Sequence, residues 1–450
     1  SPPNKFSNLQ PQPIMQIKSS LKQLWVESRA NPGFTSLYIG GVAFAVAFTM
    51  VYAIVYYVHL APIYPEYNRN TTAYINNITV RNEKTNSMSM GSPGLIFFRD
   101  FVNNSENIEY CTLSYEKPGF IQPPDNSGDF KALCCYTDPN FFKLYGYEFI
   151  AGQPFNDAET EAAIKNVVVD RSVAERLFST PEKAIGKEIS FDFENYRIVG
   201  VVRNGNPVAY MSYANIFLPY TIYTTINDGG SRGDLTDLLG AFSIPIKFKD
   251  SKQESRFRDE IVDKVRRVNA ADSAGWVLDL CSAPVSHTMR VLSQNDNQED
   301  MTIMQFIKPL LIVLLVLLII PAINISGMIS GQMDRRLAEI GVRRGFGATR
   351  SELTNQVMFE NFVLTSVGGL AGLAVAWILV IIFKNTILQL IVPSWEYIDE
   401  NVNISLEMIF APVIFMATLL LCLILNMLSA YIPVRLSLRR TIISAINSKR

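Results

Sequence analysis

"DRRLAEIGVRRGFGATRSEL", residues 334–353, holds five arginines, three acidic residues and three glycines, and it lies between two long apolar stretches. Its charges have helical spacing. Glu339 stands four residues after Arg335 and four before Arg343, so opposite charges meet on one helix surface. Leu337, Ile340 and Gly341 fall near one face. "GFGAT", 345–349, breaks that helix, and Thr349 with Glu352 forms a capping box that starts the next one. The stretch therefore reads as a short amphipathic helix held at a membrane surface by a tight glycine turn. Arginines alone would seat such a helix on anionic lipid. A docking element for a cytoplasmic partner fits the same residues, and composition leaves the two readings even.

The chain of 450 residues is 48% hydrophobic and only 18% charged, which points to a mixed membrane and globular architecture. A net charge of -1 gives no basic field that would attract nucleic acid. The Pro/Gln/Asn-rich start, "SPPNKFSNLQPQP", reads as a flexible leader. Four stretches reach the roughly 20 apolar residues that a bilayer crossing needs: 36–60, 309–330, 362–383 and 408–432. Pro321 and Pro412 should kink their helices. Gly368 and Gly372 form a G-x-x-x-G pair suited to close helix packing.

Basic residues orient the spans. Lys18, Lys22 and Arg29 precede the first; Arg335, Arg336, Arg343, Arg344 and Arg350 lie between the second and third; Arg435, Arg439, Arg440, Lys449 and Arg450 follow the fourth. The loop 385–405 has three acids and no Lys or Arg, and its Trp395 and Tyr397 suit an outer interfacial belt. Both termini and the Arg-rich loop are thus expected in the cytoplasm, and residues 61–302 outside. The expected divisions are a cytoplasmic segment with an amphipathic helix, 1–35; spans at 36–60, 303–330, 359–384 and 406–433; the exported domain, 61–302; the charged loop, 331–358; the short outer loop, 385–405; and a cytoplasmic tail, 434–450.

The exported segment is long enough to bury a core, and its pattern is α+β with two subdomains. "NVVVD", 166–170, reads as a buried strand, and "RSVAERLFS", 171–179, as a short amphipathic helix. Residues 186–204 read as two strands around an "FEN" turn, with another strand at 215–223. A strand at 242–249, a helix capped by Asp250 or Ser251 with Phe257, Ile261, Val265 and Val268 on its apolar face, and the strand "GWVLDLCSA" make a β-α-β unit. Residues 285–302 should form a helix continuing into the second span. Four of the five cysteines, Cys111, Cys134, Cys135 and Cys281, lie where disulfides persist. Adjacent Cys134 and Cys135 would pair with Cys111 or Cys281 rather than with each other, while free buried thiols are an equal alternative.

Catalytic motifs are missing. The sequence has no G-x-x-x-x-G-K-[ST] phosphate loop and no H-x-x-x-H. His59 and His287 read as interfacial or surface residues. The span interiors carry no ionisable groups of the kind ion-coupled transporters use, and Asn324 and Asn426 are expected to make interhelical hydrogen bonds. The chain is therefore expected not to be an enzyme itself and to depend on an external energy source.

The run "RRLAEIGVRRGFGATRSELTNQVMFENFVLTSVGGLAGL" resembles the signature of the MacB/FtsX-type permeases of ABC transporters, through Arg336, Glu339, Ile340, Gly341, Arg343, Arg344, Gly347, Ala348, Arg350, Glu360, Gly368, Gly369 and Gly372. Gly345 and Phe346 fill its variable interior. "FFKLYGYEFIAGQPFND" and "VVVDRSVAERLFSTPEKAIGKEISFDFENYRIVGVVRN" are similar to the family's periplasmic core domain, and "YIPVRLSLRRTIISAI" to its C-terminus, with "RTII" where the family has a second proline. The resemblance implies four spans, a large α+β domain between the first and second, and a bacterial inner-membrane location. It also implies a dimer of permease copies that binds two copies of a separate or fused ABC ATPase. With no nucleotide-binding domain in this sequence, the ATPase is expected to be another, cytoplasmic polypeptide that binds the ATP and Mg, so that no cofactor is bound directly. The ATPase-coupling residues would be Arg336, Leu337, Glu339, Ile340, Gly341, Arg343, Arg344 and Gly347, with Leu337, Glu339, Ile340 and Arg343 in contact; Gly368, Gly369 and Gly372 would pack helices. Motion would pass to the outer domain by mechanotransmission, with a periplasmic adaptor or outer-membrane factor as further partners. The alternative within the family is a regulator that activates a periplasmic cell-wall hydrolase.

Overall fold

The structure, a computed structural model, describes residues 13–123, 128–223, 233–293, 302–389 and 412–438. Its main helices are α1 (Pro13–Ala30), α2 (Pro32–Leu60), α3 (Arg171–Phe178), α4 (Ser251–Ala271), α5 (Ile303–Gly345), α6 (Arg350–Gln389) and α7 (Pro412–Leu438). Among the described residues, α2, α5, α6 and α7 are long and apolar enough to cross a membrane. The chain divides into two compact units. One contains the chain up to Val55, Lys308–Ile387 and α7; the other contains Tyr56–Ile307.

In the membrane unit, α5 corrects the expected boundary at residue 330. It runs unbroken for 43 residues, about 65 Å at 1.5 Å per residue, more than twice a hydrocarbon core of about 30 Å. The charged handle is therefore the end of the span helix and not a separate short helix. The change from apolar to charged residues ends burial in lipid, but nothing before Gly345 ends the hydrogen-bond ladder. α5 also passes Pro321 without interruption, and Pro412 is the first described residue of α7, so it kinks nothing in the described helix; Pro433 is the proline inside α7. Asn324 and Asn426 make no hydrogen bond with another described residue, against expectation; Asn324 is exposed on α5, and Asn426 is buried.

Glycines set the helix spacing. A Cβ on Gly372 would stand 2.6 Å from the Ala43 carbonyl oxygen, and one on Gly368 would stand 2.8 Å from Val42 Cβ, so α6 meets α2 backbone to backbone. Gly369 points the other way, where a Cβ would come within 2.5 Å of Leu419 on α7. Tyr38 on α2 closes the same contact with a hydrogen bond between its hydroxyl and that of Thr365, 2.9 Å apart.

The second unit has two subdomains, each with its own core. One is a closed barrel of six strands, in the order Glu194–Val202, Asn166–Asp170, Ile216–Pro219, Phe130–Thr137, Ser114–Gln122, Glu188–Phe191 and back to Glu194–Val202, with Phe149–Gly152 added beside the last. Strand alternation assigns neighbours to opposite faces: Val167 and Val169 enter one cluster with Cys134, while Val168 and Cys135 enter an aromatic cluster with Phe141, Phe142 and Phe217. Asp170 ends its strand and caps α3 by accepting from the Val173 amide at 2.8 Å. The hairpin turn falls at Asp192 and Phe193, both with positive φ, and not across the whole "FEN" triplet. Residues 220–222 form a 3₁₀ turn, so the strand expected through 223 stops at Pro219.

The other subdomain has two four-stranded sheets over one core, with Phe257, Ile261 and Val265 of α4 buried in it and Asp250 as the cap. The expected β-α-β unit is not formed. Ile244–Lys247 belongs to one sheet and Trp276–Asp279 to the other, with α4 passing between them. Asn269 holds the return strand through both backbone groups of Leu278, at 2.8 and 2.9 Å. A helix occupies His287–Ser293; the expected continuation through 294–301 lies outside the described residues, as do the leader, the loop 390–411 with Trp395 and Tyr397, and the tail beyond 438. All five cysteines are free and buried, so of the two alternatives the free buried thiols hold and the disulfides do not.

Candidate functional site: the charged handle

The handle begins where α5 turns charged. Met333, Leu337 and Ile340 recur on one face, and all three are buried with Leu353, Val357, Val434 and Leu438. Gly341 is buried beside them. Leu337 and Ile340, read from sequence as partner contacts, are thus packed against the protein's own helices and position the handle instead.

Its polar face is a linked set of side chains. Arg336 donates from Nη1 to Glu360 Oε2 at 2.7 Å, and Glu360 is 3% exposed. Gln356 donates from Nε2 to Glu360 Oε1 at 3.2 Å and to Gln23 Oε1 at 2.8 Å. Arg343 donates to Gln356 Oε1 at 3.1 Å and pairs with Glu339 Oε1 at 2.6 Å. Gln23 reaches Glu339 at 3.4 Å. Arg336 lies 3.9 Å from Glu339, taking the place expected for Arg335. The network ties α1, α5 and α6 together. Gln23 and Gln356 went unnoticed in the sequence, although Gln356 and Glu360 stand at helical i, i+4 spacing.

The turn that ends α5 is specific. Ala348 donates to the Arg343 carbonyl and Gly347 to that of Arg344, both at 3.1 Å, with Gly347 at φ +99. This is a Schellman closure, and the left-handed position requires glycine. Thr349 and Glu352 then cap α6 reciprocally, at 2.9 and 3.2 Å. Arg344 donates to the Leu438 carbonyl at the end of α7. The geometry leaves an exposed tip, in which Val342 is 53% and Phe346 is 91% exposed. Phe346, a filler position in the sequence pattern, is the most exposed large apolar side chain described. A bare aromatic ring at the end of a charged helix suits a protein groove better than water.

The histidines sit elsewhere, and both are buried, correcting their surface reading. His287 Nε2 lies 3.1 Å from the His59 carbonyl oxygen, so this nitrogen carries the proton and Nδ1 is left to accept from Tyr74 at 3.4 Å. Burial pushes the His287 pKa down, outweighing the opposing charge of Glu66. Arg69 pairs with Glu66 at 2.7 Å and donates to the carbonyls of Val58 and Ala61, closing the C-terminus of α2. This arrangement anchors the end of a helix and has no nucleophile. Among the described residues, no three His, Cys, Asp or Glu side chains are grouped to hold a metal ion.

A family model described as the MacB-like periplasmic core domain matches residues 35–264, and one described as the FtsX-like permease C-terminal matches residues 311–442. Curated relatives include "Macrolide export ATP-binding/permease protein MacB" of Agrobacterium fabrum (strain C58 / ATCC 33970), 25% identical over 237 residues, covering 53% of this chain and 34% of that one. The protein of the same name in Escherichia coli O157:H7 is 24% identical over 273 residues, covering 60% and 38%. The chain thus spans little more than a third of the length of these relatives. Similar solved structures are the periplasmic region of MacB from Actinobacillus actinomycetemcomitans (18% identity, TM-score 0.34, covering 49% of this chain and 93% of that one) and a permease domain from Porphyromonas gingivalis (13%, 0.33, 54% and 97%).

Proposed function

Since the chain belongs to the MacB/FtsX-type permease family, we propose that it is the permease part of an ABC system, passing the ATP-driven motion of an ABC ATPase to its periplasmic-type domain. The work done there is export or extraction of a periplasmic substrate such as a peptide, an antibiotic or a lipoprotein. The protein sits in the bacterial inner membrane with both termini in the cytoplasm, and it works as a dimer of permease copies beside a periplasmic adaptor. ATP and Mg are bound by the ATPase.

The observation that carries this reading is the handle's construction. Its base is fixed by the buried Arg336–Glu360 pair, and its tip presents Phe346 to the outside. Handle and second span are one continuous helix, so a push on the tip is passed along the axis of the span. In this reading, Phe346 and Val342 enter a groove of the ATPase, while Glu339 and Arg343 rim the contact.

The test is ATP hydrolysis by the co-purified ATPase, with and without this chain. Phe346→Ala, and the double change Glu339→Ala with Arg343→Ala, should cut stimulation at least about tenfold, as loss of an interface anchor does, with the chain's unfolding temperature unchanged for Phe346→Ala. Full stimulation by Phe346→Ala would remove the tip from the coupling contact. Co-purification of a cell-wall hydrolase without any ATPase would favour the regulator.

A further inference from the structure

Within the membrane unit, a groove of about 940 Å³ opens between the start of α2 and the middle of α5. Its two ends differ in chemistry. One end is walled mainly by Phe44 on α2 and by Ile325 and Met328 on α5, with Asn324 beside them; the other is rimmed by Ser28, Asn31, Gln332 and Arg335. The floor is open, since a Cβ added at Gly41, Gly327 or Gly331 would meet nothing within 4 Å. Along α5, the rise from Asn324 to Arg335 is about 16 Å, close to half the roughly 30 Å of a hydrocarbon core. The groove is thus as deep as one leaflet, greasy inside and polar at the headgroup level.

One charge at the mouth has no ion-pair partner among the described residues. Arg336 and Glu339 also border the groove, but each is engaged in the handle's ion pairs. Arg335 is exposed and makes no ion pair with a described residue. A guanidinium above an apolar slot matches a phosphate group above an acyl chain.

We propose that this groove holds a glycerophospholipid with an anionic headgroup, drawn from the leaflet at the arginine-rich end of α5. Its phosphate pairs with Arg335, and an acyl chain lies between Phe44 and Met328. The lipid then packs beside the last turns before the handle and supports them from the side that the protein leaves open. This requires only the membrane spans and stands whether or not the handle meets an ATPase.

The test reconstitutes the full chain in nanodiscs of equal phosphatidylglycerol and phosphatidylcholine, extracts it gently and weighs the retained lipid by native mass spectrometry. The wild-type chain should hold phosphatidylglycerol over phosphatidylcholine by about fivefold, the preference worth one interfacial arginine. Arg335→Gln, at an exposed position that leaves the fold intact, should bring the ratio near one. Gly331→Leu, which fills the slot, should lower retention of both lipids. An unchanged ratio in Arg335→Gln overturns the proposal. So does a Gly331→Leu chain that keeps its lipid but shifts from dimer to monomer, since a second copy then fills the groove.

Discussion

Glu360 shows how one residue can hold a site without touching a partner. It is almost wholly buried, and its two carboxylate oxygens take Arg336 and Gln356 from different helices. Removing one member of a buried pair strands the other, which costs about 3 kcal/mol or more, whereas an exposed pair contributes at most about 1. Glu360→Ala should therefore lower the unfolding temperature of the detergent-solubilised chain clearly, while Glu339→Ala, at a 44% exposed side chain, should leave it nearly unchanged. Equal shifts for the two would show that the buried pair does not hold the handle. The sequence motif contained Glu360 but not its role, because its partner lies 24 positions away. Leu337 and Ile340 were misread for a related reason. An apolar stripe on a short charged helix looks like a docking face, and only the presence of α6 and α7 behind it shows that it is core.

At the scale of elements, the legible features were those set by local chemistry. The capping box at Thr349, the cap at Asp250, the buried strand Asn166–Asp170 and the four spans all follow from period and end signals. Features set by pairing partners were not legible. Sequence order places two strands around α4, but nothing in them specifies that they join different sheets. The end of α5 was misplaced because a polarity change was taken as a stop, when the stop is the Gly347 closure. The G-x-x-x-G pair lies between these cases, since its spacing suggests a contact and the structure names α2 as the partner. A side chain at Gly372 would strike the Ala43 backbone, which cannot move aside as a flexible side chain can. Gly372→Val should destabilise the membrane unit by about 2 kcal/mol, in the range of overpacked cores, while Gly327→Ala, with open space around it, should be tolerated. The comparison is read from the fraction of each variant that stays monodisperse on heating in detergent. Equal tolerance would mean that α6 and α2 do not touch through these glycines.

For the whole molecule, the question is what stabilises a periplasmic-type domain with four cysteines and no cross-link. An oxidising compartment permits disulfides, and small exported domains depend on them because they cannot bury enough apolar surface. This domain is not small in that sense. It buries two separate clusters around the barrel wall and a third between the two other sheets. The cysteines serve as ordinary apolar filling in them. Cys134 and Cys135 point to opposite faces of one strand, so each is committed to a different cluster, and burial pushes both thiols far above their usual pKa and leaves them unreactive. Two results should follow. Adding reductant should leave the unfolding temperature of the full chain unchanged. Denaturing the chain without reductant, in the presence of a maleimide, should yield five adducts by mass spectrometry, one for each free cysteine. Three adducts would mean that one pair had bridged. The domain's stability would then rest partly on a cross-link, in place of the packing of its cores alone.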